Sequence, residues 1–465
     1  MTKRYGKATI FLAIVLTLVS CNDAPGPMST HSPSLTVSVI PDTPTPSPAP
    51  TETIQPQDFY ISREDALADY DYLWAALEEN YPYYELVQTD PYGPKLNLRN
   101  IIETYRERIC KHESISADDF YNIITESLAQ FNIIGHLNTM NRDYYDTMRN
   151  IYSFELNDFR NNRSEEIQVI NLLESLLNEF EHPKAIKFYS ELSSSHSSFL
   201  EETEAATEED LLLKVESTIE TWRDNEIAYI KIKTFAWPHP ECKDIAIELL
   251  NGLCYEYRHA DNIIIDIQCN GGGNTTVWMD GIIKPLWQHP IESSYLLGAK
   301  SGELNRIYWG NEYPPGGTVY SSEDVEWKSY FPNLEADRVK FFDYLKIDRT
   351  SIDCSDSAVG FNGKVWLLVD RYTYSAAEAL AIFCKNSGFA TIVGERTRGS
   401  GMGSDPYILI LPNTGLLIIY EGFCGINPDG TYNGIIGTAP DIVVEDGQSV
   451  LERCLTYIRC VLYPQ

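Results

Sequence analysis

Ser375 lies between a run of residues that predicts a buried strand and a run that predicts a helix. Residues 364–370 are mostly apolar, and residues 375–387 place apolar side chains at helical spacing. A hydroxyl at a helix start lies beside free backbone N–H groups, which stabilise negative charge, so Ser375 could act as a nucleophile in acyl transfer. Ser375 and Glu378 also have the spacing of a capping box, in which the serine only caps the helix.

A second segment has a shape that acyl transfer would need. Residues 262–267 form an apolar run that ends shortly before three consecutive glycines, Gly271 to Gly273. The run predicts a buried strand, and bare backbone after it could present N–H groups to a substrate oxygen, as one half of an oxyanion hole. A tight strand-to-helix turn would explain the same glycines.

A base is the third requirement, and His136 is placed just past a predicted helix. Neutral imidazole can take a proton from serine near neutral pH. The chain has eight histidines, and a lone histidine is more often a surface or core residue than a catalyst. The assignment of His136 as the base must therefore be supported by the motifs around it in the sequence.

Four blocks, in order, resemble the C-terminal processing (tail-specific) peptidases and the related tricorn-core serine peptidases. They are residues 128–139, which include Gly135-His136, residues 263–273, residues 365–401 and residues 437–444. The resemblance covers most of the chain after about residue 58. It implies an α/β fold with a crotonase-like catalytic core and an N-terminal helical domain.

The resemblance also implies roles for individual residues. The processing peptidases use a lysine base after the nucleophile, but the matching turn here is Arg398-Gly-Ser400-Gly401, without lysine. The tricorn-like branch pairs serine with histidine instead. By this resemblance Ser375 is the nucleophile, His136 is the general base, and the N–H groups of Ala376 and one glycine, preferably Gly272, hold the oxyanion.

The residue that orients His136 is left open by the sequence. Tricorn-like sites use a serine just before the histidine and a glutamate in the C-terminal segment, but Gly135 precedes His136 here. Glu421, Asp429 and Asn433 are the candidates in the C-terminal segment. Because a triad-type serine without an orienting acceptor loses much of its turnover, a catalytically inactive relative that binds peptides or other ligands is the alternative.

The start of the chain predicts export. Lys3, Arg4 and Lys7 precede a short apolar stretch that ends in Leu18-Val-Ser-Cys21, which resembles the bacterial lipobox. We expect residues 1–20 to be a signal peptide and Cys21 to carry a lipid that anchors the protein to the extracytoplasmic side of a bacterial cell membrane. An ordinary signal peptide that ends near a cysteine is the alternative.

Composition limits the partners. The net charge of −31 argues against nucleic acid binding. The sequence predicts no cofactor and no metal site, because no Cys or His pair has metal-ligand spacing. Disulfide pairing and oligomeric state are left open.

The chain divides by composition and periodicity. Residues 21–57 are rich in proline, serine and threonine and predict an extended linker, and residues 58–140 predict a helical domain. Residues 141–225 read as a helical acidic segment in place of the usual PDZ domain. Residues 226–465 alternate strands and helices, as expected for the peptidase core, and residues 290–360 form an insertion without an assigned role.

These features together predict a membrane-anchored serine peptidase. We expect it to hydrolyse peptide bonds in unfolded or extended polypeptides through an acyl-enzyme, using a Ser-His site. A further alternative is an acidic lipoprotein whose 30 tyrosines and eight tryptophans line a site for small molecules or glycans.

Overall fold

The computed structural model describes residues 60–162, 164, 167–193, 207–224, 226–237, 239–309, 319–321, 326–403 and 406–462. The predicted signal peptide, Cys21 and the linker lie outside these ranges. None of the helices in these ranges combines the length and apolar character that a membrane span requires. No disulfide joins the nine cysteines within these ranges.

The first described part of the chain is mainly helical, as predicted. Apolar residues at helical spacing in its first helix, Ala66, Tyr70, Leu73 and Leu77, are buried. Side chains that accept from backbone N–H groups start the helices, as Ser62 does for Asp65 N. The elements are β1 (Tyr60–Ser62), α1 (Arg63–Asn80), α2 (Leu86–Thr89), α3 (Leu98–Cys110), β2 (Ser114–Ser116), α4 (Ala117–Ala129), a 3₁₀ turn (Ile134–His136) and β3 (Asn138–Thr139).

Helices also make up most of the described part of residues 141–225, the segment that the sequence predicts to be helical in place of a PDZ domain. The elements are α5 (Arg142–Asn162), α6 (Ile167–Phe180), α7 (Pro183–Glu191) and α8 (Glu208–Glu216). The ring of Tyr145 on α5 stacks on that of Tyr189 on α7 at 3.9 Å, which joins these helices. The last residues of the segment differ from the prediction, because residues 219–223 form a strand that joins the core sheet.

Strands and helices alternate through most of the remaining chain. The elements are β4 (Ile219–Arg223), β5 (Ile227–Ile232), α9 (Cys242–Tyr257), β6 (Asn262–Asp266), α10 (Thr275–Trp278), a π-helical turn (Met279–Ile283), α11 (Lys284–Leu286), β7 (Ile291–Ala299), α12 (Glu303–Trp309), β8 (Val319–Ser321), 3₁₀ turns (Glu326–Ser329 and Ala336–Arg338), β9 (Tyr344–Ile352), β10 (Lys364–Val369), α13 (Ala376–Ser387), β11 (Thr391–Gly394), β12 (Tyr407–Ile410), β13 (Leu417–Tyr420), β14 (Cys424–Ile426), β15 (Ile442–Val443), α14 (Val450–Tyr457) and a final π-helical turn (Ile458–Leu462).

The largest sheet of the described chain has six strands in the order β15-β11-β10-β6-β5-β4, all parallel except β4. Side chains alternate between its faces. Ile263 and Ile265 of β6 join the core that includes α9 and α13, whereas Ile264 joins the core that includes α14. Apolar residues on both faces therefore produce the continuous apolar runs of β6 and β10, as expected for a parallel sheet covered by helices.

The segment without an assigned role builds part of a second sheet. Strands β7, β8 and β9 join β14 in the order β14-β7-β9-β8. This sheet packs beside α13, where Asn386 Nδ2 donates to Ser294 O at 3.2 Å. The described strands of residues 290–360 thus lie beside the helix that follows Ser375.

A third sheet, β12-β13-β3, connects the N-terminal helices to the core. Strand β3 pairs antiparallel with β13, so that Asn138 lies opposite Ile419 and Thr139 opposite Ile418. The turn between β12 and β13 is held by Asp69 of α1, which accepts from Asn413 N at 2.8 Å and Thr414 N at 2.7 Å. The buried carboxylate of Asp69 thereby fixes the hairpin against α1.

Candidate active site

Ser375 occupies a sharp turn between β10 and α13. Its backbone has φ 55° and ψ −124°, a conformation that L-residues rarely adopt and that costs on the order of 1–3 kcal/mol. The turn is held by Ser375 N, which donates to Gly399 O at 3.1 Å, and by Tyr374 N, which donates to Asn270 O at 3.1 Å. The Ser375 side chain makes no capping bond to α13. The capping-box interpretation is therefore wrong, and the hydroxyl is available for another contact.

Glu378, the other half of that expected capping box, faces the interior instead. Its Oε1 accepts from Asn433 Nδ2 at 2.7 Å, Thr438 N at 3.0 Å and Thr438 Oγ1 at 2.7 Å. Burial of this carboxyl raises its pKa above the usual value, although these donors oppose the shift. Glu378 thus ties the first turn of α13 to residues 433–438.

The glycine segment comes next to Ser375 because β6 and β10 are parallel neighbours whose carboxyl ends meet at one edge of the sheet. Gly272 has φ +107°, and a Cβ there would lie 2.8 Å from both Ala376 N and Ser375 Cβ. Only glycine allows so close an approach of the two backbones.

The structure does not support the expected role of Gly272 as a donor in the oxyanion hole. Its N–H donates to Asn270 Oδ1 at 2.8 Å, so this hydrogen is already engaged. Ala376 is different, because it is the first residue of α13, and backbone N–H groups of a first turn have no partner within the helix. The preference for Gly272 over its neighbours as the donor is therefore corrected, while the segment's position is as expected.

His136 reaches Ser375 from the 3₁₀ turn before β3. Its Nε2 lies 3.0 Å from Ser375 Oγ, and its Nδ1 lies 2.7 Å from Glu421 Oε1. Because a carboxylate only accepts, Nδ1 carries the proton and Nε2 is free to accept from the serine hydroxyl. His136 and Ser375 are 8% and 9% exposed, so the contact is almost fully buried.

Glu421 is the orienting group among the three candidates that the sequence left open. Continuing the β3–β13 register by two residues places it opposite His136, and Glu421 N donates to Gly135 O at 2.7 Å. Asp429 instead accepts from Thr431 Oγ1 at 2.6 Å, and Asn433 binds Glu378. Strand pairing therefore selects the glutamate.

Three tyrosines that sequence reasoning missed support the histidine and the glutamate. Tyr83 donates to Glu421 Oε2 at 2.8 Å, and burial raises its pKa far above the usual value, which keeps the phenol a donor. Tyr81 donates to Ile134 O at 2.5 Å, and Tyr374 donates to Ile133 O at 3.0 Å. Tyr81 and Tyr83 belong to an aromatic cluster at residues 81–84, which carries no spacing rule.

The tyrosines also explain the glycine before His136. Gly135 has φ +56°, and a Cβ on it would lie 2.6 Å from the ring of Tyr83. A serine in this position would collide with that ring. Glycine at position 135 therefore leaves room for the ring of Tyr83, the residue that holds Glu421.

The turn without lysine has a structural part in the site. Arg398 Nη2 donates to Asn132 Oδ1 at 3.1 Å, which joins this turn to the loop before His136. Gly399 O accepts from Ser375 N. The turn thus connects the loops of the histidine and the serine. Together the geometry can support acyl transfer, with a hydroxyl, an accepting imidazole, an orienting carboxylate and a helix N-terminus in contact.

Comparisons with known proteins agree with this chemistry. Residues 226–444 match the model of peptidase family S41. The match confirms the resemblance inferred from the sequence, and with it an α/β crotonase-like core that follows a helical N-terminal region. No curated protein has a sequence that matches this chain.

Solved structures with remote similarity include peptidases and a lipoprotein. A candidate peptidase from Parabacteroides merdae is 16% identical, with 86% of this chain and 97% of that chain covered and a TM-score of 0.48. Mature CPAF is 13% identical, with 82% and 92% covered and a TM-score of 0.47. A lipoprotein from Streptococcus agalactiae is 11% identical, with 88% and 99% covered and a TM-score of 0.43.

Replacing Tyr83 with phenylalanine tests its support of Glu421. The loss of a hydrogen bond to a charged group predicts a fall in kcat of roughly tenfold or more, with KM little changed. Tyr84→Phe, whose ring lies instead near Lys300 Nζ, is the control. A kcat of Tyr83→Phe equal to that of wild type would assign Tyr83 to packing alone.

Glu378→Gln tests the buried carboxyl through the pH dependence of stability. A pKa raised from its usual 4.5 means that the folded state holds the proton more tightly than the unfolded state. The carboxyl's contribution is therefore fully present below that usual value and is lost as the pH rises through the folded pKa. Thermal unfolding of both proteins, from acid to mildly alkaline pH, should show the variant gaining stability relative to wild type as the pH rises. A difference that is constant with pH would contradict the shift.

Proposed function

We propose that this chain, which belongs to peptidase family S41 through residues 226–444, is a serine peptidase that acts through Ser375, His136 and Glu421. The observation that carries the proposal is the continuous pair of contacts, 3.0 Å from Ser375 Oγ to His136 Nε2 and 2.7 Å from His136 Nδ1 to Glu421 Oε1. Residues separated by more than two hundred positions meet in the order that a nucleophile, a base and an orienting acid require.

The reaction follows from these contacts. Ser375 Oγ attacks the substrate carbonyl carbon while His136 Nε2 takes its proton, and the negative carbonyl oxygen is held by Ala376 N–H and an N–H of the glycine segment. The imidazolium, stabilised by Glu421, gives the proton to the leaving amine as the peptide C–N bond breaks. Water, deprotonated by His136, then attacks the acyl-enzyme and releases the carboxylic acid and Ser375.

The preferred substrate is an unfolded or extended polypeptide. Ser375 and His136 are nearly covered by surrounding elements, so a peptide bond inside a folded domain could not come into contact with the hydroxyl. An extended segment is narrow enough to enter. We place the enzyme outside the cytoplasm, attached to the cell membrane through a lipid on Cys21, as the N-terminal sequence motif supports.

Labelling with a fluorophosphonate probe tests the reactive serine. Wild type should label, and both Ser375→Ala and His136→Ala should abolish labelling. Glu421→Gln should label and turn over peptide about four orders of magnitude more slowly, because the neutral amide does not stabilise the imidazolium and can turn its NH2 toward Nδ1, which favours the wrong tautomer. Ser387→Ala, at the far end of α13, is the serine control and should label normally.

The alternative is an inactive relative that binds peptides. Absence of labelling in wild type, with all variants as stable as wild type in thermal unfolding, would contradict the peptidase and favour the binding protein. Labelling that persists in Ser375→Ala would place the reactive group elsewhere.

The lipid anchor has its own test. In bacterial cells, we expect mass spectrometry of the mature chain to find an N-terminal Cys21 with a diacylglyceryl modification, and detergent phase separation to place the protein in the detergent phase. Cys21→Ser should move it to the aqueous phase. A mature N-terminus at another residue, or a wild-type protein in the aqueous phase, would show an ordinary signal peptide.

A further inference from the structure

Arg398 lies on the turn that holds Ser375, close to the histidine. The next residue on this turn, Gly399, accepts from Ser375 N at 3.1 Å. The guanidinium carbon of Arg398 is 5.7 Å from the centre of the Tyr374 ring, and the centre of that ring is 4.8 Å from the centre of the His136 ring. One aromatic ring therefore borders both the guanidinium and the imidazole.

The guanidinium is held in place, but only part of its hydrogen-bonding capacity is used. Arg398 Nη2 donates to Asn132 O at 3.4 Å and to Asn132 Oδ1 at 3.1 Å, on the loop that leads to His136. The N–H groups of Nε and Nη1 have no acceptor among the described residues. Arg398 is only partly buried, and neither nitrogen is sealed from solvent. These donors can therefore meet a ligand.

Two other arginines in the loops around Ser375 have carboxylate partners. Arg371 pairs with Glu395 at 2.7 Å, and Arg396 Nη2 lies 3.8 Å from Asp429 Oδ2. No carboxylate of the described residues pairs with Arg398 in this way, although the chain has a net charge of −31. A guanidinium without a carboxylate, in so acidic a protein, indicates a counter-ion that comes from a ligand.

The place of the guanidinium decides which part of a substrate supplies that carboxylate. In the proposed mechanism His136 gives a proton to the leaving amine, so the chain that follows the scissile bond starts next to the imidazole. Arg398 is bonded to the loop of the histidine through Asn132, whereas the oxyanion donors belong to α13 and the glycine segment. The leaving segment of the substrate is therefore the part that passes Arg398.

We propose that Arg398 is a specificity-determining residue that binds a carboxylate on the leaving-group side of the scissile bond. The carboxylate comes from an aspartate or glutamate side chain, or from the C-terminus of a short leaving segment. A free N–H of Nε or Nη1 donates to it, while Nη2 keeps its bond to Asn132. This selectivity rests on the proposed peptidase function, because it assigns Arg398 to that reaction's substrate.

Cleavage of two synthetic peptide mixtures tests the preference and its source. Both contain the same randomised sequences with acetylated N-termini, but one has amidated and the other free C-termini, and mass spectrometry identifies the cleaved bonds. For a side-chain source, wild type should favour aspartate and glutamate over asparagine and glutamine after the cleaved bond by about tenfold in both mixtures. A preference confined to bonds near free C-termini would assign the role to the terminal carboxylate.

Substitutions separate recognition of the carboxylate from support of the loops. Arg398→Gln should reduce the ratio of acid to amide toward one, whereas Arg398→Lys should keep part of it because the charge remains. Arg396→Gln is the matched control, since it removes the same charge two residues away, and it should leave the ratio unchanged. If Arg398 only joined the two loops, its loss would slow cleavage of every peptide equally. Equal ratios in wild type and Arg398→Gln, or an acid preference before the cleaved bond, would overturn the proposal.

A binding measurement separates this proposal from the peptidase itself. Immobilised Ser375→Ala is incubated with each mixture, and the retained peptides are sequenced by mass spectrometry. Peptides with a carboxylate of the preferred kind should be enriched, and Arg398→Gln in the same background should abolish the enrichment. Such enrichment, with a wild type that neither labels with fluorophosphonate nor cleaves peptides, would support the carboxylate site and contradict the peptidase. Absence of any acid preference in cleavage and in binding would overturn the carboxylate site, whether or not wild type labels.

Discussion

The antiparallel pairing of β3 with β13 is the interaction on which the candidate site depends. His136 and Glu421 are 285 residues apart, and this pairing places them opposite each other with Glu421 N bonded to Gly135 O. Strand β3 has only two residues, so its own ladder is too short to fix the histidine. The additional restraint comes from hydrogen bonds of Tyr81 and Tyr374 to carbonyls of the preceding turn, and from Asp69, which holds the hairpin that contains β13. The N-terminal helices are therefore part of the site's construction, because they carry most of these groups.

The site keeps two of its residues in unfavourable backbone conformations. Ser375 and His136 both have positive φ, at 55° and 53°, although neither is glycine. Such residues persist where surrounding contacts over-determine them, and here those contacts come from Gly399 O at the serine and from Glu421 at the histidine. The strain turns the hydroxyl away from the role of a helix cap. A serine in relaxed geometry would have satisfied an N–H of α13, and its Oγ would not face an imidazole.

The sequence predicted the parts of the molecule that depend on local pattern. The spacing of apolar residues predicted the strands β6 and β10, the helix after Ser375 and the helical N-terminal region. Four sequence blocks in the family's order predicted the family. Glu421 could not be chosen over Asp429, because the choice depends on strand register between distant segments, which no local pattern records. Tyr83 was missed for the same reason. The capping box at Ser375 and Glu378 was wrong because functional geometry overrides local preference there.

Helix α13 anchors the candidate nucleophile to the core. Its N-terminus positions Ser375 and the Ala376 N–H, and Glu378 fastens its first turn to residues 433–438. A carboxylate acceptor inside the core is costly unless its donors are fixed, and here one oxygen receives three of them. The helix therefore cannot slide or rotate without breaking a buried network. The nucleophile therefore stands at the start of a helix that a buried hydrogen-bond network holds in place.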